Sequence, residues 1–379
     1  MQPLTDEERS LVELVRQLVR DKIAPRAARY DRDGEFPWDN VRDLNALGLN
    51  GVFVPAAFGG AGLSYTCFLR LLQEISQGCA STAVTWAATF YGLGPVINVG
   101  TEEQKRRWLP VILQGGLGAL AITESGGGSD ATGMRTSFRP DGADIVINGS
   151  KVFITNGDVA DLYLLFGKWT EIPDGRRAIS TLVLEKGTPG LIIGKKEDKL
   201  GHRASSTVQL SFEDCRVPRA NLLGQPGDGL PILHQALNKS RPGVAAQALG
   251  IARAAFDDAV GYINERQQFG QRIIDFQGVQ FMLADMAAKL AMTEAWMYYV
   301  AGLIQADAAD YSVEASILKL AASDLAMEVT TNAVQLFGGY GYIKDFRVER
   351  LFRDAKITQI WEGTNQLHRA LIGRAFIRK

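Results

Sequence analysis

The chain has 379 residues, of which 46% are hydrophobic and 22% charged, a composition that is typical of globular proteins and excludes wholesale disorder. Its formal net charge is −1, from 41 basic and 42 acidic residues, so the chain has no general attraction to nucleic acid or to an anionic membrane. Three cysteines at no metal-ligand spacing and three histidines far apart in sequence predict no metal site.

The start of the chain lacks the basic and apolar regions of a secretory signal peptide, and the cysteines are typical of free thiols in a reducing compartment. We therefore expect a cytoplasmic protein. Residues 78–101 carry no charge, but Pro95 and many small polar residues interrupt the stretch. This pattern favours a buried helix and loop over a membrane span, and no membrane insertion is predicted.

Helical patterns fill the first third of the chain. Thr5 and Glu8 have the spacing of a capping box, and the apolar residues between 11 and 19 follow one helical face. Thr101 and Gln104 repeat the capping pattern before a second apolar run. Residues 1–116 are therefore predicted to form an N-terminal helical domain.

A two-residue period begins at about residue 117. The segment 144–147 is preceded by Pro140-Asp141-Gly142 and followed by Asn148-Gly149, which are turn signals that flank short strands. Further strand patterns cover residues 152–154, 162–166, 180–184 and 208–212. Because no helices separate these strands, we predict a central antiparallel sheet or barrel-like domain over residues 117–227.

The helical period returns after about residue 228 and continues to the end of the chain. Helical stretches fit residues 230–266, 275–306, 312–337 and 363–376. We predict a C-terminal four-helix bundle over residues 228–379, and an α+β fold for the whole chain.

The motifs of several large enzyme classes are missing. The sequence has no P-loop, no Gly-x-Gly-x-x-Gly that opens a strand–helix unit and no Gly-x-Ser-x-Gly elbow, which excludes typical nicotinamide Rossmann enzymes and serine hydrolases. Polar and glycine-rich segments remain at the edges of the predicted domains. They are residues 121–130, 151–157, 265–270, 335–341 and 360–366.

Each of these segments alone also fits an ordinary structural role. Three consecutive glycines after Ser125 form either a mobile loop or a loop whose amides approach a ligand closely. Arg266 and Gly270 fit the end of a helix. Glu362, between an aromatic residue and a glycine, is either a helix-start carboxylate or a general base in an apolar pocket.

In this order and spacing, the five segments resemble the acyl-CoA dehydrogenase family over essentially the whole chain. The resemblance implies an FAD-dependent enzyme that converts an acyl-CoA thioester to the trans-2-enoyl-CoA and passes the electrons to an electron-transfer flavoprotein. It also implies a homotetramer built as a dimer of dimers.

The resemblance assigns roles to individual residues. By this resemblance, the residues that line the flavin site or donate hydrogen bonds there are Leu120, Ile122, Thr123, Phe153, Ile154, Thr155, Thr364 and Gln366. The residues expected to bind the pyrophosphate and adenosine of a neighbouring subunit's FAD are Arg266, Phe269, Gln277, Gln335, Gly338 and Gly339. Contacts to the acyl-CoA fall to Ser129, Asn238, Arg241, Trp361 and Gly363. Phe153 departs from the commoner tryptophan but leaves an aromatic wall.

Glu362 matches the catalytic base of the family, which removes the α-proton while hydride leaves the β-carbon for flavin N5. The resemblance implies that the backbone N–H of Glu362 and a ribityl hydroxyl of FAD polarise the thioester carbonyl. A minority of the family carries its base at the position of Ser240. Because serine cannot act as that base, Glu362 is the predicted catalytic residue.

Two other classes of function stay open at this point: an oxygen-using flavin oxidase or monooxygenase on the same fold, whose relatives usually lack the Glu-Gly-Thr base, and a non-catalytic protein that kept the fold.

The identity of the acyl group is open as well. Thr82 stands where glutaryl-CoA dehydrogenases place an arginine, which predicts an uncharged acyl tail. Trp361 stands where tyrosine is more usual. Its larger ring either narrows the space over the reacting carbons or stacks on a flat group, so two substrate classes stay open: short or medium linear acyl chains, and branched, cyclic or aryl-bearing acyl groups.

Overall fold

Helices, then strands, then helices follow one another along the chain in the computed structural model, which describes residues 4–377. The α+β architecture predicted from the sequence is confirmed. The N-terminal helices are α1 (Asp6–Leu18), α2 (Ala24–Asp33), α3 (Trp38–Ala46), α4 (Tyr65–Gly78), α5 (Ala80–Val99) and α6 (Glu102–Leu113).

Both predicted capping boxes form. The hydroxyl of Thr5 accepts a hydrogen bond from the N–H of Glu8 at 3.1 Å, and the Glu8 carboxylate accepts one from the N–H of Thr5 at 3.0 Å. Thr101 and Gln104 make the same pair of bonds, at 3.2 and 2.9 Å. These bonds satisfy amides that a helix start leaves without partners, so α1 and α6 begin where local chemistry dictates.

The uncharged segment forms α5, which is buried along most of its length and continues through Pro95. The predicted buried helix is confirmed, but the predicted loop is wrong, because the helix runs without a break to Val99. No helix within residues 4–377 is long and apolar enough to cross a membrane.

The central sheet has eight strands. They are β1 (Gly118–Ala121), β2 (Ser137–Asp141), β3 (Asp144–Thr155), β4 (Leu162–Trp169), β5 (Ile179–Glu185), β6 (Leu191–Lys196), β7 (Thr207–Pro218) and β8 (Leu222–Leu223). Their order is β6-β7-β3-β2-β4-β5-β8, with β1 beside β4.

Most pairings in the sheet are antiparallel, as predicted, but β1 and β2 both pair with β4 in parallel. Neither β1 nor β2 is joined to β4 by a hairpin, which would make the pairing antiparallel. The absence of helices between the strands therefore did not determine the direction of these two pairings. No pairing joins β6 to β8 among residues 4–377, and the sheet stays open. The barrel alternative is therefore wrong.

One predicted turn is also wrong. Pro140-Asp141-Gly142 does join β2 to β3, but Asn148-Gly149 lies inside β3, where the pairing with β7 shifts register. Gly149 has φ 141°, and a β-carbon there would lie 2.7 Å from Thr136 Cα. The glycine therefore makes a bulge that bends β3 and does not end it.

The C-terminal part contains the four predicted helices and one more. The elements are α7 (Gly229–Glu265), β9 (Gln267–Gln268), β10 (Gln271–Arg272), α8 (Gln277–Gln305), α9 (Ser312–Phe337), α10 (Val348–Lys356) and α11 (Asn365–Arg374). The short helix α10 was not predicted. Arg347 at its start bonds Asp258 of α7 at 2.6 Å, and Arg353 bonds Asp31 of α2 at 2.7 Å.

Two cores organise these elements. Buried apolar side chains of α1, α4 and α5 join those of α7, α8 and α9 in one cluster, so the two helical parts share a core. The sheet has a core of its own. Helix α5 contacts the sheet at β1.

Two glycines make the α5–β1 contact possible. A β-carbon on Gly92 would lie 2.8 Å from the carbonyl oxygen of Ala119, and one on Gly118 would lie 2.9 Å from that of Thr89. The helix and strand backbones therefore touch directly, and this contact positions Leu120 and Ile122 beside the helices.

We predict that Gly92→Ala lowers the free energy of unfolding by about 1–3 kcal/mol, because the new methyl group overlaps a backbone carbonyl that cannot move alone. Gly94→Ala is the matched control in the same helix, since a β-carbon there meets nothing within 4 Å. That change should be neutral or stabilise by up to about 1 kcal/mol through helix propensity. Thermal denaturation of both variants checks this, and equal melting temperatures would contradict it.

Candidate active site

A cavity of about 440 Å³ lies where the three parts of the chain meet. We call it the central cavity. The structure brings these predicted site residues together on its wall: Leu120, Ile122, Thr123, Ser129, Phe153, Ile154, Thr155, Trp361, Glu362, Gly363 and Thr364. Residues far apart in sequence thus form one site.

Helices α5 and α7 supply wall residues that the sequence analysis missed. They are Val84, Ala88, Tyr91, Val244 and Gln247. Those on α5 have the spacing of one helical face, but α5 is uncharged and its small polar residues are scattered among apolar ones, so its sequence did not show which face meets a cavity.

Glu362 lies in a tight turn between α10 and α11. Its φ is 51°, a left-handed conformation that is uncommon outside glycine, and Gly363 follows with φ 96°. The hydroxyl of Thr364 then caps α11 by accepting from the N–H of Leu367 at 3.3 Å. The turn aims the Glu362 side chain away from α11.

Two buried side chains hold the carbonyl groups of this turn. Burial lowers the pKa of His368 to about 3, so the ring is neutral, and its Nε2 lies 3.2 Å from the Glu362 carbonyl oxygen as the donor. Lys319 Nζ donates to the Gly363 carbonyl at 2.6 Å and to Asn365 Oδ1 at 2.9 Å. Neither residue was predicted, because only the fold brings Lys319 of α9 against the turn and places the His368 ring of α11 under the Glu362 carbonyl.

The Glu362 carboxylate meets α7. The hydroxyl of Ser240 donates to Glu362 Oε2, and the same hydroxyl lies 3.1 Å from the Leu237 carbonyl. Burial raises the pKa of Glu362, and the Ser240 hydrogen bond and the charges of Arg241 and Lys319 act against that rise. The carboxylate is thus held in place and given a raised proton affinity.

Burial also affects the neighbouring cations. It lowers the pKa of the fully buried Lys319 to about 7, and it lowers that of Arg241. Arg241 Nη1 donates to Asn238 Oδ1 at 2.7 Å, so the structure brings these two predicted residues together, beside the central cavity and not on its wall.

An ion pair between the buried Lys151 and Glu124 fixes the glycine-rich loop. Lys151 Nζ donates to Glu124 Oε1 and to the Ile122 carbonyl, both at 2.8 Å. Thr136 donates to the same carboxylate from its N–H at 2.9 Å and from its hydroxyl at 2.7 Å. Burial acts to raise the pKa of Glu124, but the hydrogen bonds from Lys151 and Thr136 outweigh it and hold the pKa at about 2. Glu124 is therefore an ionised anchor for the loop.

The end of β3 is fixed in a similar way. Phe153 and Asn156 both have positive φ, at 59° and 62°. The buried amide of Asn156 donates to the carbonyls of Thr85 at 2.9 Å and Gly118 at 3.2 Å. These bonds tie the strand end to α5 and β1, and they place Thr155 on the cavity wall.

Several buried polar atoms on the wall have no hydrogen-bond partner within residues 4–377. They are both amide atoms of Gln247, the indole N–H of Trp361 and the hydroxyl of Tyr91. Buried polar groups are nearly always satisfied in the functional state. The wall thus suits a ligand that offers both donors and acceptors between apolar surfaces.

Another group of predicted residues lies elsewhere. Arg266, Gln335, Gly338 and Gly339 line a separate cavity of about 650 Å³ between α7, α8 and α9, where the Arg266 guanidinium lies 5.6 Å from the centre of the Tyr340 ring. We call it the second cavity.

Besides Asn238 and Arg241, four predicted positions lie outside both cavities. Phe269, Gln277 and Gln366 are exposed, with Phe269 95% exposed. Thr82 is buried, and its hydroxyl accepts from Asn40 Nδ2 at 2.9 Å. Thr82 therefore lies away from both cavity walls and does not bear on the charge of the acyl tail.

Comparisons with known proteins find similarity over the whole chain. Family models for the N-terminal, middle and C-terminal domains of acyl-CoA dehydrogenase match residues 5–116, 119–215 and 227–377. An acyl-CoA dehydrogenase of Bacillus subtilis is 43% identical over 373 residues, which are 98% of each chain.

Two solved structures are similar over 100% of both chains. The butyryl-CoA dehydrogenase from Megasphaera elsdenii has a TM-score of 0.96 and 40% identity. A structure from work on the electron transferring flavoprotein of Acidaminococcus fermentans and flavin-based electron bifurcation has a TM-score of 0.97 and 41% identity.

Proposed function

The chain belongs to the acyl-CoA dehydrogenase family and is an oxidoreductase that acts on acyl-CoA, and on this premise we propose that it oxidises an acyl-CoA to the trans-2-enoyl-CoA with Glu362 as the base. The observation that carries the proposal is the half-buried Glu362 carboxylate at the wall of the central cavity, backed by Ser240. Oxygen-using flavin oxidases and monooxygenases on the same fold usually lack the Glu-Gly-Thr base.

The environment of Glu362 suits removal of an α-proton. A carboxylate in an apolar cavity binds a proton more strongly than one in water, which favours proton transfer from carbon. Ser240, Arg241 and Lys319 keep it able to ionise before the reaction. The carboxylate therefore has a raised proton affinity, while the hydrogen bond and the nearby positive charges favour its ionised form.

The left-handed turn supports a second role for the same residue. The N–H of Glu362 has no backbone acceptor among the described residues. His368 and Lys319 hold the carbonyls of Glu362 and Gly363, which follow this N–H in the chain, so the turn that carries the N–H is fixed. In our proposal it donates to the thioester carbonyl and stabilises the negative charge that develops there as the α-proton leaves.

The central cavity fits the isoalloxazine of FAD. Leu120, Ile122, Phe153 and Ile154 form apolar walls, and Thr123 and Thr155 supply hydroxyls. The unpartnered amide of Gln247 and indole of Trp361 match a flat heterocycle that carries donors and acceptors. When bound, FAD would accept the hydride from the β-carbon, and an electron-transfer flavoprotein would take the electrons onward.

The second cavity supports an FAD site that is shared between subunits. Arg266 is a bidentate donor suited to a pyrophosphate, and a β-carbon on Gly338 or Gly339 would meet nothing within 4 Å. Phe269 beside this cavity is a large apolar side chain left almost fully exposed by one chain. We propose that a neighbouring subunit covers it and that the enzyme is a homotetramer, a dimer of dimers.

We predict that Glu362→Gln slows flavin reduction by an acyl-CoA by roughly 10²–10⁴-fold, because the amide keeps the volume of the side chain but cannot accept the proton. FAD should stay bound. Glu328→Gln is the matched control, since Glu328 is a solvent-exposed carboxylate paired with Lys289. Anaerobic stopped-flow measurement of flavin bleaching gives both rates, and a near-normal rate for the Glu362 variant would refute the assignment.

We also predict that Arg266→Ala weakens FAD binding by about 10- to 100-fold, because a charge-assisted contact to the pyrophosphate is lost. Arg272→Ala is the control, since Arg272 is an exposed residue paired with Asp275. The flavin-to-protein ratio after gel filtration and the sedimentation coefficient measure the effect. A fully active monomer that holds FAD tightly would contradict the shared site.

A further inference from the structure

A larger cavity lies next to the central one, and the two are separated at Tyr91. It has a volume of about 600 Å³, and we call it the outer cavity. Its apolar end is formed by Phe53, Tyr65, Phe68, Phe90 and Tyr91. Among the described residues, Tyr91 alone lines both the outer and the central cavity.

Helix α5 runs along both cavities with one face. Val84 and Ala88 line the central cavity, and Gly94 and Asn98 line the outer one. Tyr91 stands between the two pairs at helical spacing. The boundary between the cavities on α5 is therefore the Tyr91 side chain.

Helix α7 faces α5 across the cavities and shows the same division. Val244 and Gln247 line the central cavity, and Ala236 and Ser240 line the outer one. Between them is Gly243, where a β-carbon would lie only 2.1 Å from the Tyr91 hydroxyl oxygen. The phenol ring thus extends from α5 until its tip touches the backbone of α7, and the glycine gives it room.

We infer that Tyr91 limits the length of the acyl group and that the substrate class is a short, uncharged acyl-CoA. This inference rests on the proposed function, because it takes the reacting carbons to lie beside Glu362. The central cavity has to hold a flavin ring and the acyl group in about 440 Å³, and Tyr91 closes it on the side of the outer cavity.

The charges on the two walls support the same substrate class. The charged residues on the wall of the central cavity are Glu124 and Glu362, both acidic. A carboxylate at the end of an acyl chain would find no cation there. The cation Lys239 lies in the outer cavity, beyond Tyr91, where its Nζ donates to Asn98 Oδ1 at 3.2 Å.

Replacing Tyr91 by alanine tests the inference, because it joins the outer cavity to the central one. We measure kcat/KM of the holoenzyme with butyryl-, hexanoyl- and octanoyl-CoA. The wild type should prefer butyryl-CoA, and the ratio of octanoyl- to butyryl-CoA should rise at least about tenfold in Tyr91→Ala, since extra methylenes then find an apolar pocket.

Tyr91→Phe separates the ring from its hydroxyl. This variant keeps the closing ring, so its octanoyl-to-butyryl ratio should stay near that of the wild type whatever its absolute rate. If Tyr91→Ala does not fold with FAD, Tyr91→Leu is measured, because the shorter side chain no longer reaches Gly243 and opens the same passage.

The results distinguish the inference from its premise. An FAD-loaded Tyr91→Ala or Tyr91→Leu enzyme with the wild-type ratio overturns the role of Tyr91, as does a wild type that oxidises octanoyl-CoA as well as butyryl-CoA. A wild-type flavin that no acyl-CoA bleaches overturns the proposed function itself.

Discussion

The hydrogen bond between the Ser240 hydroxyl and the Glu362 carboxylate joins the long helix α7 to the turn before α11, and the arrangement of the site depends on it. A carboxylate taken out of water binds a proton unless its surroundings stabilise the charge. Ser240 supplies a hydrogen bond, and Arg241 and Lys319 supply positive charge from nearby. The turn can therefore present an acidic side chain to an apolar cavity and still keep it able to ionise.

The rest of the structure keeps this carboxylate and the sheet in fixed positions. Lys319 and His368 donate hydrogen bonds to the carbonyls of the left-handed turn. Ion pairs join α10 and its first turn to α7 and α2. The direct contact of α5 with β1 through glycines sets the distance between helices and sheet. Asn156 and the Lys151–Glu124 pair then fix the strand end and the loop that face the turn. Polar groups that do no chemistry thus determine where the chemistry can take place.

Local patterns were enough to predict much of this. Capping boxes act within one turn of helix, so Thr5 and Thr101 marked helix starts correctly. The open sheet, its parallel pairings and the bulge at Gly149 depend on contacts between distant strands, which no local pattern reports. For the same reason the sequence did not reveal Tyr91, Gln247 or Lys319, whose importance comes from what lies opposite them.

The pH dependence of flavin reduction in wild type and in Ser240→Ala tests the central claim most directly. Glu362 must be ionised to act, so the rate should fall as the pH drops through its pKa, and burial places that fall above the ordinary glutamate value of about 4.3. The Ser240 hydroxyl stabilises the charged form, so its removal should move the fall in rate to higher pH. An acid limb at the same or a lower pH in Ser240→Ala would contradict the account.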